Sequence, residues 1–227
     1  MSPILCAAVL ALSWLAPATR QKLPSPEPVL KRMAQAYESL ASLRANLTQV
    51  KSYPQLRLTD PPEKGTLYVK RKGKDGARVR LEIHEPEKRI VTVNEGRYVL
   101  YQPKIKQAIE GNVNPKSASG GTSFVSYFLG DLSQAKEDYA IASLGDEPVD
   151  GRQTVHLRLT AKPKGKGFYR QIDLWVDNDL GVPVQQEFVE PNRAVVRIRF
   201  GDIQTDIAIK DSFFNLKLPP DVERIRG

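Results

Sequence analysis

From Leu43 onward the chain reads in steps of two. Leu43, Ala45 and Leu47 alternate with Arg44, Asn46 and Thr48 on a first strand running towards Tyr53-Pro54. The same alternation returns at 65–71, 78–84, 88–93, 97–102 and 106–112, and again at 139–144, 153–161, 169–177, 183–189 and 194–204. A period of two is the spacing of side chains on one face of a β-strand, so each segment is expected to bury one face and wet the other. The intervening turns are short and hairpin-like, as in Asn94-Glu95-Gly96, which makes neighbouring strands antiparallel. Asp177-Asn178-Asp179-Leu180-Gly181 resembles a fragment of a calcium loop, but it lacks the later acidic ligands and reads as another hairpin turn. About eleven antiparallel strands, each with one apolar face, do not close into a small filled barrel without leaving interior room. The expected fold is therefore α+β: an incomplete antiparallel β-barrel of about eleven strands, covered by helices that enclose a hydrophobic cavity. The same layers also suit a solid-cored domain with helices packed on one face of the sheet.

Helical periodicity is confined to two places. After Leu23-Pro24-Ser25-Pro26-Glu27-Pro28, the residues Leu30, Met33, Tyr37 and Leu40 recur at helical spacing, with Ser25 placed to cap the helix and Pro26 suited to its first position. The second place follows 114–123, a loop without apolar anchors, where Phe124, Tyr127, Phe128, Leu129 and Leu132 form an amphipathic segment broken at Gly130-Asp131. A loop leading into an aromatic helix has the pattern of a lid, and an ordinary connection with a packed helix is the alternative. Leu30, Met33, Tyr37, Phe124, Phe128 and Leu129 are the residues that such a cover would present.

The inward parity of the strands falls on Leu67, Val69, Leu81, Ile83, Val91, Val93, Leu157, Ile172, Leu174, Val176, Val196 and Ile198. Arg71 continues the parity of Leu67 and Val69. If the strand stays buried that far, a guanidinium sits at the mouth of an apolar space, where it needs partners. Otherwise Arg71 has already left the sheet for a solvated turn rich in Lys and Gly.

Residues 1–18 contain an apolar run from Ile4 to Leu15 followed by Ala16-Pro17-Ala18, the pattern of a cleaved secretory signal peptide, although no Lys or Arg precedes the run. An uncleaved anchor is the alternative, but the run is shorter than the roughly 20 residues that span a bilayer. A linker at 19–26 and a single domain at 27–227 follow. Cys6, the only cysteine, lies inside the run behind Pro3-Ile4-Leu5, so it does not resemble a lipid-attachment site. The exported chain then has no disulfide, no thiol nucleophile and no thiolate-bound metal. With 34 Lys and Arg against 26 Asp and Glu, the net charge is +8. That balance favours anionic surfaces or acidic partners, but the basic residues are spread over many strands without a nucleic-acid recognition motif. His84 and His156 have no nucleophile or metal partner nearby in sequence, and no phosphate loop, nucleophile elbow or zinc motif is present, so the expectation is a protein that is not an enzyme, with no metal and no cofactor.

Four stretches resemble the family of periplasmic outer-membrane lipoprotein carriers, LolA. They are Ala41 to Gln49, Gly65-Thr-Leu-Tyr-Val-Lys-Arg71, the Tyr101-x-Pro103-x-x-x-Gln107 segment behind the Gly96 turn, and Asp211-Ser-Phe-Phe-Asn-Leu-Lys-Leu-Pro-Pro-Asp-Val222. Ile172 to Gly181, with Trp175-Val-Asp, is also similar, and the matches run in order over nearly the whole exported chain. The resemblance implies a soluble, monomeric periplasmic chaperone whose hydrophobic cavity takes lipoprotein acyl chains on the inward residues given above. It also implies an inner-membrane ABC-type lipoprotein-releasing complex that loads it and an outer-membrane receptor that unloads it. Arg71 matches the family's functional arginine, which links the strand to the lid by hydrogen-bonding lid carbonyls and tunes retention against release. Departures from the family are Tyr68 in place of Trp, Val99 where an aromatic is common, a 72–76 turn without proline, and Trp175 as the only tryptophan after residue 18, on the outward parity. Carriers of another lipid and lipid-sensing regulatory domains share this fold.

Overall fold

The computed structural model describes residues 23–71, 76–112, 132 and 135–227. Phe124, Phe128 and Leu129 lie outside the described residues, as does the 1–18 segment. In chain order the elements are α1 (Glu27–Ser39), β1 (Ser42–Tyr53), β2 (Leu58–Thr59), β3 (Glu63–Arg71), β4 (Ala77–Glu85), β5 (Arg89–Asn94), β6 (Arg97–Gln102) and β7 (Gln107–Asn112). They continue as α2 (Ala135–Asp138), β8 (Tyr139–Asp146), β9 (Thr154–Ala161), β10 (Gln171–Asp177), β11 (Pro183–Val189), β12 (Val195–Thr205) and β13 (Glu223–Arg226).

All the strands join one open 13-stranded sheet in the order β13-β7-β6-β5-β4-β3-β1-β12-β11-β10-β9-β8, with β2 paired to β1. The number exceeds the expected eleven because β2 has only two residues and β13, Glu-Arg-Ile-Arg, has no buried face to betray it. β13 also departs from the antiparallel expectation by running parallel to β7, with Ile225 opposite Ile109. A parallel neighbour requires a long crossover, and the chain between β12 and β13 supplies one. On the way its Phe214 is buried, and the Phe213 ring packs edge-on to Tyr68 at 4.9 Å.

The register carries apolar rows across the sheet. Ile109 faces Leu100, Leu100 faces Val91, Val91 faces Leu81, Leu81 faces Leu67 and Leu67 faces Ala45. From the far side of β1 a second row of the same face runs through Leu157, Leu174, Gln186 and Ile198 to Gln49, which lies on β1 at a different level from Ala45. The apolar members of this face form a single core with Val29, Leu30 and Met33 of α1. Each fully buried Leu, Ile or Phe contributes about 1.5–3 kcal/mol, so this face, and not helix propensity, holds the short α1 in place. The helix starts one residue later than expected: Pro26 occupies the cap position, and the Ser25 hydroxyl accepts from the Glu27 N–H at 3.3 Å.

Candidate functional site: the inner face and its arginine

Three contacts fix α1 across the sheet. Near its start, the Lys136 ammonium of α2 lies 3.4 Å from the Glu27 carboxylate. In its middle, the helix rests on the β10–β11 turn. There the Asp177 carboxylate accepts from the N–H groups of Asp179 and Leu180 at 2.9 and 2.8 Å, and Gly181 has φ +67°. Arg32 reaches the Asn178 side chain at 2.6 Å, and a Cβ on Gly181 would lie only 2.8 Å from that of Ala36. Only glycine combines this backbone angle with so close an approach.

The third contact is Arg71. Its strand position is held by its own N–H, which donates to the Ala41 carbonyl at 3.0 Å. Its Nη1 donates to the Tyr37 carbonyl at 2.7 Å and also to that of Glu38, while the guanidinium carbon lies 4.7 Å from the centre of the Tyr37 ring. The last carbonyls of a helix lack intrahelical partners and carry the negative end of its dipole. α1 has no basic residue in its own last turn, and β3 supplies the cation instead. Arg71 is half-buried against the end of α1.

Of the inward residues expected from sequence, Leu67, Val69, Leu81, Ile83, Val91, Leu157, Ile172, Leu174, Val176 and Ile198 are buried, and Val93 and Val196 are half-buried against the same core. Leu30 and Met33 join that core, and Tyr37 is half-buried beneath Arg71. Phe200 continues the parity of Val196 and Ile198, and with Phe188, which the strand pattern alone does not mark, it places aromatic rings on this face. Gln186 lies on this face as well. It faces Leu174 on one side and Ile198 on the other, is fully buried, and has no hydrogen-bond partner among the described residues on either Nε2 or Oε1.

A polar network occupies the opposite face of β8 to β11. His156 is held at Nδ1 by Glu147 and at Nε2 by Asp173, each at 2.7 Å, and its ring stacks on Trp175 at 4.3 Å. Arg158 adds a 2.8 Å bond to Asp173, and Gln171 a further one. Burial pushes the Asp173 carboxyl up, but the bonds from His156, Gln171 and Arg158 outweigh it and hold the group below its ordinary value. Both imidazole nitrogens are occupied, so His156 serves the sheet as a cross-strand tie. His84, the other histidine, contacts the Thr66 hydroxyl at 3.3 Å. Among the described residues no group of His, Cys, Asp and Glu is arranged to hold a metal ion, and no helix is long and apolar enough to cross a membrane.

The described chain is thus an open, mostly antiparallel sheet with its N-terminal helix laid on the apolar face and an arginine from β3 on the helix carbonyls. Residues 85–205, just over half of the chain, match a family described as "Uncharacterized protein", and the chain belongs to that family. No curated protein matches the sequence. Among solved structures, a conserved protein from Thermus thermophilus superimposes with a TM-score of 0.57 at 10% identity, covering 90% of this chain and 100% of the other. MucB does so with a TM-score of 0.56 at 19% identity, covering 88% of this chain and 64% of its own. This chain therefore spans less than two thirds of MucB, a protein also solved with MucA from Pseudomonas aeruginosa. A DUF1329 family protein from Desulfovibrio piger gives a TM-score of 0.50 at 16% identity over 82% of this chain and 94% of the other. At these identities the likeness is one of fold.

Proposed function

We propose that this domain is a non-catalytic periplasmic lipoprotein chaperone. Its cargo is the acyl chains of lipoproteins, held between the apolar face of the sheet and the helices that cover it. An inner-membrane ABC-type releasing complex loads it, and an outer-membrane receptor unloads it. The observation that carries this reading is Arg71 on the C-terminal carbonyls of α1, at the end of the apolar face. Each methylene removed from water is worth about 0.8 kcal/mol, so acyl chains need a carrier to cross an aqueous space. The carrier must also let go, which requires an empty state stable enough to compete with the loaded one. A charge-assisted bond between wall and cover favours that empty, closed state without touching cargo.

The likeness to MucB favours a second reading, because MucB has been solved in complex with the periplasmic part of MucA. In that reading the domain senses a lipid and passes the signal to a protein partner. Native mass spectrometry of the protein purified from its own periplasm separates the two. Co-purified acylated lipoprotein supports the chaperone, a free lipid supports a carrier of other cargo, and a protein partner without lipoprotein supports the regulatory domain.

A further inference from the structure

Two glutamines stand side by side on β11 with opposite fates. Gln185 faces outward and accepts from the Arg199 guanidinium at 2.7 Å. Gln186 faces inward between Leu174 and Ile198, has no exposed surface, and neither polar atom of its amide has a partner among the described residues. Buried amides in folded proteins are nearly always hydrogen-bonded, and leaving one unpaired costs about 1–3 kcal/mol. Leucine would fill the same place in this row at no such cost. Among the described residues its neighbours on the same face include Leu174 and Ile198 opposite it, Ile172 and Val196 diagonal to it and Phe188 two residues along β11, and none of these side chains carries a polar atom.

We propose that Gln186 is a polar anchor within the apolar face, its Nε2 donating to the carbonyl oxygen that links an acyl chain to the rest of an amphiphile. The proposal rests on the lipid-binding reading of that face and adds a chemical preference to it. Hydrocarbon alone gives Nε2 nothing to donate to, and an ether oxygen is a weaker acceptor than a carbonyl. An acyl ester and an acyl amide both bring a carbonyl next to the chain that the surrounding Leu, Ile, Val and Phe side chains take up. The row containing Gln186 runs on to Gln49, whose Nε2 donates to Glu63 at 3.0 Å and which is half-buried. The Arg89 guanidinium contacts the same Glu63 carboxylate, so polarity rises along the row towards this edge of the apolar face. An amphiphile lying along the row would have its chain among the apolar members and its linkage at Gln186.

The test is a competition read by native mass spectrometry on the full chain. Equimolar 1-palmitoylglycerol, an ester, and 1-O-hexadecylglycerol, its carbonyl-free ether counterpart, are offered together, and N-palmitoylethanolamine is set against the same ether in a second arm. The unmutated protein is expected to favour each carbonyl lipid by about fivefold, the ratio a single net hydrogen bond supplies. Preference in both arms places the anchor on the carbonyl of either linkage, and preference in one arm names the linkage. In Gln186→Leu, and in the near-isosteric Gln186→Met, binding of the carbonyl lipids should fall to that of the ether, so that the ratio drops to about one. Equal binding of ester, amide and ether by the unmutated protein overturns the anchor and leaves the lipid-binding face intact. So does a preference that survives both substitutions. Absence of all three lipids from every variant overturns the lipid reading and the anchor with it.

Discussion

Arg71 donates to the main-chain carbonyl of Tyr37 at 2.7 Å, so a residue at the end of β3 terminates a helix that ended 32 positions earlier in the chain. The bond joins the wall of the sheet to the element lying across it, and its loss should be felt on α1 before it is felt in the core. Arg71→Leu is expected to speed hydrogen exchange of the amides at the end of α1 by about tenfold, the equivalent of 1–1.5 kcal/mol for a lost charge-assisted cap. The core of β9 to β11 should keep its protection. If the closed state is what the bond favours, the same variant will hold lipid more tightly and transfer it to an acceptor more slowly. Transfer at the rate of the unmutated protein would remove the latch.

Gly181 tests the docking of α1 separately from its cap. An alanine there must adopt φ +67° and press its methyl against Ala36 at 2.8 Å. Gly181→Ala should lower the unfolding free energy by about 1–3 kcal/mol, read as a shift in the urea midpoint. Ala36→Gly, introduced alongside it, should restore part of the loss by clearing the methyl contact while the backbone strain remains.

Acid should weaken the sheet through Asp173. Burial acts to raise this carboxyl, but the bonds from His156, Gln171 and Arg158 leave it below its ordinary 3.8. Asp177 is shifted in the same direction, burial again being outweighed, here by the N–H groups of Leu180 and Asp179 and by Arg152. A carboxylate lowered by folding contributes stability that is fully present above its unfolded value and is lost as pH falls through the folded one. Chemical denaturation should therefore show a contribution from these groups that is constant from neutrality down to about pH 5 and declines below about pH 4. Asp173→Asn should be less stable near neutrality and show a shallower decline in acid.

Gln186→Leu should raise the stability of the lipid-free protein. It removes a buried, unpaired amide and replaces it with a side chain matching Leu174 and Ile198, for an expected gain of about 1–2 kcal/mol in urea unfolding. An equal loss would mean that the amide is satisfied in the empty protein.

Much of this arrangement was visible in the amino-acid order because β-strands write their burial directly into it. Leu67, Val69, Leu81, Ile172, Leu174 and Val176 are alternating apolar residues, and they are the buried face. Parity could not settle Arg71, because its surroundings depend on where α1 crosses the sheet, which is decided by Gly181 and Ala36 far from it in sequence. The His156 network was illegible for a related reason. Glu147 lies just beyond β8 and Asp173 on β10, and only the pairing register, with its irregularity between Ser143 and Gly145, brings them to the imidazole. Gln186 was hidden by its type, since glutamine between Val184 and Phe188 reads as a break in an apolar face. A bulge opposite Trp175 turns Val184 towards the outer cluster with Trp175 and leaves Gln186 inside.

The position of β1 in the sheet has a consequence for the order of folding. Residues from β3 to β7 form one meander and those from β8 to β12 another, each zipped by local hairpins, and β1 alone is paired with both. Its pairing with β3 closes over a short segment, whereas Ser52 meets Val195 across 143 positions. Local hairpins form quickly and long loops close slowly, so the β1–β12 seam should be the late step that merges two half-sheets. Until it forms, each half would present its apolar face to water. A substitution along that seam would slow the appearance of the native sheet far more than one within either meander.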